Sequence, residues 1–380
     1  MKNNKLTVLF ICHDNGNGGA ALSLYNLVRA VSKGVVPIVL ARQEGILTKN
    51  LTDIGVEVLI YPFELNIANE NKVFRFFTYI ARRFRDYFVN SRCIEYVHSQ
   101  LNNRVIDIVH TNSSVISFGG KMARTFKAKH VWHIREYMDL DFNMTPIEGL
   151  TEWQSELFSA DALIAITKSI YDYRKMYLHK NAYIIPDAVR PLSEITHEHH
   201  KSKYVLFCAS NLSDGKGADQ AAEIFCRSDL YEKGYQLFYI GNYTPKYKTK
   251  LESIAYDAGK ENALMFLGRQ KDIRTYMMRA SAFLMCSRFE GLGRVTIEAM
   301  FYGCPVLGRN TGGTTYIIKD GQNGLLYDNV DEAVIKLNSL IENNSLSNQL
   351  VINAAEDARN NFSEEVYGEK IIKVYQNIIG

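Results

Sequence analysis

The sequence predicts an α/β protein with two parallel sheets, and three observations carry that expectation. Short apolar runs alternate with helix-like stretches along all 380 residues, the pattern of parallel strands joined by helical crossovers. The runs are continuous rather than alternating, as strands covered on both faces require. The same grammar occurs twice, on either side of one polar segment without apolar periodicity, 191–203 (PLSEITHEHHKSK).

Taken in order, the first half offers strands at 6–12, 35–40, 56–61, 106–110, 162–166 and 182–185. The second half offers strands at 204–209, 235–240, 263–267, 282–286 and 305–308. The expected organisation is therefore a Rossmann-like domain over 1–190, a linker over 191–203 and a second Rossmann-like domain over 204–363. Open α/β sheets take ligands beyond the carboxyl ends of their strands, so functional motifs should follow strands directly.

Composition narrows the function classes. The chain holds 44 Lys plus Arg against 41 Asp plus Glu, a net charge of +3, too balanced for a nucleic-acid binder by bulk charge. Apolar residues make up 47% and charged ones 22%, which excludes disordered and fibrous classes. Cys12, Cys93, Cys208, Cys226, Cys286 and Cys304 form no CxxC pair and read as small hydrophobes in a reducing compartment. Lys2 and Lys5 precede an apolar run that is too short for a signal peptide, and no stretch reaches the roughly 18–20 apolar residues of a membrane span. The expected location is cytoplasmic, with the inner face of the cell membrane as an alternative.

The most informative segment is 287–303, SRFEGLGRVTIEAMFYG, directly after the strand candidate 282–286. Gly291 and Gly293 allow close backbone approach to a ligand, and a helix starting near Arg294 turns free N–H groups and its positive end toward that loop, which suits a phosphate. Glu290 lies in the loop and Glu298 eight residues later on the helix. Either glutamate alone is an ordinary solvated side chain. Both beside two glycines at a strand-to-helix turn read as a ligand site, with Glu298 placed for a ribose diol.

This segment resembles the E-x7-E signature of retaining glycosyltransferases of family 4, which have the GT-B fold of two facing Rossmann-like domains about a cleft. Other segments fall in matching order. NGNGGAA at 15–21 is similar to the family's first glycine-rich loop, which would bring Gly18 and Gly19 close to donor phosphate or acceptor. HVWHIREYMD places His133 at the family's active-site histidine, expected on the inner rim of the first domain. DALIAIT at 161–167 and IIPDAV at 184–189 resemble the strands leading into the linker. SNLSDGKGADQAAEIF puts Lys216 where the family keeps a lysine on the donor diphosphate, FLGRQKDI puts the Gln270 backbone near the base, and TGGTTYIIKDGQNGLLY matches the closing turn and strand.

The resemblance implies a retaining hexosyltransferase that moves a sugar from a UDP- or GDP-sugar to a glycan or lipid-linked acceptor in cell-surface polysaccharide synthesis. It implies no cofactor and no metal, and a last helix over 364–380 that crosses back to the first domain. Catalysis would fall to Lys216, Glu290 and His133, with donor contacts from Gly18, Gly19, Asn211, Gln270, Gly291, Leu292, Gly293, Arg294 and Glu298. The residues depart from the family at three places. Asn211 stands where an arginine is usual, leaving the diphosphate one cation short; Arg294 either compensates or is a surface charge. Tyr316 stands where a glutamate is usual, and Asp187 where an asparagine is. Alternatives are an inactive or epimerase-like GT-B chain, or an NADP-dependent oxidoreductase suggested by G-x-G-x-x-A at 16–21.

Three other patterns read as decoys. Asp139-Leu140-Asp141 copies a metal-binding D-x-D but reads as loop. His197, His199 and His200 read as solvated linker. Gly-Lys-Gly at 215–217 lacks the rest of a phosphate-binding Walker loop. One regional charge stands out: 72–135 holds 12 basic and 3 acidic residues. Within it, 72–103 reads as a helix mixing Phe74, Phe76, Phe77, Phe84, Tyr87 and Phe88 with Arg75, Arg82, Arg83 and Arg85. It is either peripheral to an anionic membrane or a helix packing its aromatics into the core.

Overall fold

In a computed structural model of the chain, the structure describes residues 5–14, 16, 18–69, 75–142, 144–196 and 202–380, with 68, 69, 75–83, 86, 141 and 142 by backbone only. Two compact units divide the chain: Met1–Ala188 with Glu364–Gly380, and Val189–Ser363. Asn15, Asn17 and the three histidines at 197, 199 and 200 lie outside the described residues, as do the side chains of Phe74 to Arg83.

The first unit is built on β1 (Leu6–Cys12), β2 (Val35–Ala41), β3 (Glu57–Ile60), β4 (Ala68–Asn69), β5 (Ile108–Thr111), β6 (Lys129–Ile134), β7 (Met144–Thr145), β8 (Ala162–Ala165) and β9 (Ala182–Ile184). Seven of these make one parallel sheet in the order β3-β2-β1-β5-β6-β8-β9. The short β4 and β7 pair antiparallel beside it. Apolar runs become central strands here because both faces are covered: Val8, Phe10, Ile108, Val131 and Ile164 have no solvent exposure.

In the two large sheets the apolar runs do not announce β6 or β15 (Leu325–Tyr327), and β6 is the more instructive. Lys129, His130 and His133 interrupt its hydrophobic run, yet the fold buries both histidines. The last helix, Glu364–Ile379, packs against Gly19–Val31 of the same unit. Gly368 makes that approach possible, since a Cβ there would stand 2.5 Å from the Ala30 carbonyl oxygen. A further helix, Arg75–Gln100, exposes Phe84, Tyr87 and Phe88 rather than packing them in the core.

The second unit holds β10 (Tyr204–Asn211), β11 (Gln236–Asn242), β12 (Leu264–Phe266), β13 (Ala282–Met285), β14 (Val306–Arg309) and β15 (Leu325–Tyr327). All pairs are parallel, in the order β12-β11-β10-β13-β14-β15. Leu284, Leu237, Phe225, Ile224 and Leu337 fill the core between sheet and helices. All six cysteines are free and buried; burial pushes the thiols of Cys12, Cys208 and Cys286 up to about 12, so they act as hydrophobes. Among the described residues, no helix is long and apolar enough to cross a membrane.

Candidate active site

In the second unit the strand order reverses between β10 and β13, and such a switch point opens a crevice at the carboxyl ends of the strands. Three loops meet there. The loop after β13 bonds to the loop after β10 through Arg288 N to Gly215 O at 3.0 Å, and to the loop after β14 through Gly313 N to Glu290 O at 2.7 Å. Thr311 Oγ1 adds a bond to Arg288 O at 2.8 Å. The glycines are what let these backbones touch. Gly217 has φ +74°, and a Cβ there would stand 1.9 Å from the Cys286 carbonyl oxygen.

Two helices start at these loops, Ala218–Arg227 after Gly217 and Arg294–Phe301 after Gly293, and neither has a side-chain cap. Loop carbonyls accept from some of their first N–H groups, Ala218 N donating to Ser213 O at 3.2 Å and Thr296 N to Gly293 O at 2.9 Å, and the positive end of each helix dipole faces this loop cluster. Between them sits an ion pair. Lys216 Nζ donates to Glu290 Oε1 at 2.6 Å and to Oε2 at 3.1 Å, and Ser287 Oγ donates to Oε1 at 3.1 Å. The Lys216 side chain is 38% exposed and that of Glu290 17%, so the cation is reachable.

The remaining predicted residues of this unit lie on loops, strand ends and the helices that follow them. Gly291, Leu292 and Gly293 form the turn into the helix, with Leu292 buried, and Arg294 is its half-buried first residue. Glu298 is buried one turn further on, where Arg190 Nη2 donates to its Oε1 at 2.9 Å. Asn211 ends β10 exposed, its Oδ1 accepting from Asn242 Nδ2 at 3.3 Å. Gln270 follows β12 and turns its side-chain amide back onto Leu267 O at 2.6 Å. Gly312 and Gly313 lie against Glu290 and Gly291, and Tyr316 stands half-buried on the short helix that follows.

Four residues escape the sequence reading. Arg190 is 108 positions from Glu298, and nothing in the order of residues links them. Asn242 meets Asn211 only through strand pairing. Ser287 and Arg288 were legible, because both adjoin the glycine turn; Arg288 Nη2 also reaches Asp219 Oδ2 at 3.1 Å, putting a second cation beside the Lys216 loop.

The first unit has its own switch point, between β1 and β5, where His13 and Asp14 are half-buried and His110 and His133 fully buried. Gly18 caps Gly19–Val31, and a Cβ there would stand 2.0 Å from Asp14 Oδ2; Gly19 is exposed with open space beside it. His133 does not stand on a rim: it is fully buried. Its Nδ1 lies 3.3 Å from His110 Nε2, and its Nε2 4.0 Å from Asp187 Oδ1. Asp187 pairs with Arg135 and accepts from Ser23 Oγ at 2.7 Å, while Arg135 Nε also donates to Asn112 Oδ1 at 3.0 Å. Tyr375 Oη, from the last helix, lies 2.7 Å from His110 Nδ1.

Burial first, and then the Arg135 charge, hold His110 and His133 well below the usual imidazole range, so both are neutral. Burial pulls the Arg135 guanidinium down, but Asp187 outweighs it and Arg135 stays above its ordinary value. Asp139 heads a short helix rather than a loop, and Arg174 and Tyr173 hold its carboxylate.

Residues 190–357 match the family described as "Glycosyl transferases group 1". The chain is 25% identical to a trehalose synthase from Pyrococcus horikoshii over 55% of this chain and 56% of that one, so it spans about half of that relative's length. It is 24% identical to an uncharacterized glycosyltransferase from Methanocaldococcus jannaschii over 87% of this chain and 92% of that one. Among solved structures, HepE from Anabaena in complex with UDP superposes with a TM-score of 0.76 at 17% identity, covering 98% of this chain and 100% of that one. The chain is thus an α/β protein of the GT-B fold, with two Rossmann-like units of which the second matches the group 1 glycosyl transferases.

Proposed function

We propose that the protein transfers a hexosyl unit from a UDP- or GDP-sugar to a glycan or lipid-linked acceptor, with retention of anomeric configuration and without a metal, in cell-surface polysaccharide synthesis. One observation carries the donor half: a reachable lysine, Lys216, at the β10/β13 switch point beside two helices whose N-termini have no side-chain cap. The UDP bound by HepE and the glycosyl-transfer names of the sequence relatives support the same reading.

In this reaction the bond between sugar and diphosphate breaks, and negative charge grows on the departing diphosphate. Lys216 and the positive ends of the helices Ala218–Arg227 and Arg294–Phe301 are fixed before that charge appears, and a preorganised positive environment of this kind stabilises a transition state without rearrangement. Glu298, held at Oε1 by Arg190, is assigned to the ribose hydroxyls through Oε2. Glu290 is assigned to the sugar hydroxyls, and the Gln270 loop to the base. His133, buried and neutral, is a positioning residue that braces the first unit through His110 and Asp187. The exposed Phe84, Tyr87 and Phe88 beside Arg85 support an acceptor presented at an anionic membrane.

The test is thermal stabilisation by UDP, GDP, ADP and their hexose conjugates. A ligand at about 100 times its dissociation constant stabilises a fold by about 2.7 kcal/mol. One nucleotide class should stabilise the parent and leave Glu298→Ala unshifted. Equal stabilisation of parent and variant, or stabilisation by NADPH alone, overturns the assignment.

A further inference from the structure

We propose that the Glu290 carboxylate is a built-in stand-in for the donor phosphate: it occupies Lys216 until a nucleotide-sugar arrives, and so makes the site prefer nucleotide-sugar over free nucleoside diphosphate. This rests on the donor-site assignment above and adds to it a basis for releasing product.

The geometry points to an exchange. Both Glu290 carboxylate oxygens lie on Lys216 Nζ, at 2.6 and 3.1 Å, with Ser287 Oγ the second donor. The Glu290 backbone is fixed by Gly313 N at 2.7 Å, so the carboxylate can turn without moving the loop. The pair is partly exposed, and partly exposed ion pairs are weak enough to break. The ends of the helices Ala218–Arg227 and Arg294–Phe301 beside it favour an anion at this place. Glu290 supplies that anion while the site is empty.

A diphosphate that takes Lys216 displaces the carboxylate and leaves two anions side by side. With free nucleoside diphosphate the displaced carboxylate gains no partner, and the repulsion stands. With a nucleotide-sugar the sugar hydroxyls donate to it, and the repulsion is offset. Glu290 therefore opposes the product more than the donor.

The test uses Glu290→Gln, which keeps an amide oxygen able to accept from Ser287 and removes the charge. Dissociation constants for UDP, GDP and their glucose conjugates are measured by calorimetry on the parent, Glu290→Gln, Lys216→Met and the double variant. In Glu290→Gln the nucleoside diphosphate should bind roughly fivefold or more tightly, as neighbouring charges couple by that order, while the nucleotide-sugar gains little. The difference should shrink as salt is raised, and in the Lys216→Met background it should be reduced to the repulsion between carboxylate and diphosphate, the competition for the lysine being gone. Nucleoside diphosphate binding that is unchanged or weaker in a folded Glu290→Gln protein overturns the exchange while leaving the donor site standing. Failure of the parent to bind any of the four ligands overturns the donor site itself, and the exchange with it.

Discussion

The two units share one topology, a parallel sheet whose order reverses beside its first strand, yet they treat charge in opposite ways at that point. In the first unit Arg135 and Asp187 are buried as a pair beside His110 and His133, with Tyr367 and Tyr375 of the last helix bonded into the cluster and His133 Nε2 left without a hydrogen-bond partner among the described residues. In the second, Lys216 and two uncapped helix N-termini face outward from glycine turns. The difference teaches that a switch point can take a ligand where its cation is held by a partly exposed partner that can exchange. A buried charge pair such as Arg135 with Asp187 serves stability first.

The largest effect expected from this contrast falls on the first unit. Asp187→Ala strips the counter-ion from a fully buried Arg135, and breaking one half of a buried pair typically costs about 3–5 kcal/mol. Urea denaturation should register that loss, while nucleotide affinity of the folded variant stays at the parental value. A changed nucleotide affinity would break the division of labour between the units.

A smaller effect comes from acid. His110, His130 and His133 are all held below the ordinary imidazole value by burial, His130 at about 3. Between about pH 6.5 and 5 the unfolded chain takes up protons on these rings and the folded chain does not. Stability therefore falls as pH falls, by up to about 1.4 kcal/mol per pH unit for each ring. Urea midpoints at pH 7 and pH 5 should show this, and His130→Gln should flatten the slope. A parental slope near zero would mean the histidines are not buried neutral.

Much of the second unit was legible in the sequence, because its signals are local. The glycines of EGLG and the Lys216-Gly217 pair each lie within one turn, and the eight-residue spacing of Glu290 and Glu298 spans only a loop and the helix it feeds. What was not legible is what folding brings together from afar. Arg190 reaches Glu298 only through the fold, and strand β6 is hidden because its polar residues are the buried network rather than breaks in a core. The same blindness put His133 on a rim: a histidine after an apolar pair looks functional until Asp187, Arg135 and His110 are seen around it. The aromatic helix shows the converse, since Phe84, Tyr87 and Phe88 carry a core-like composition and lie exposed.

The central claim is that the cation left outward at the second switch point carries the chemistry, and Lys216→Ala tests it most directly. Steady-state release of nucleoside diphosphate from the donor that stabilises the parent should fall about 100- to 1000-fold, with the melting temperature little changed because the ion pair is partly exposed. A variant that turns over at the parental rate would contradict the account and move the donor phosphate away from the β10/β13 crevice.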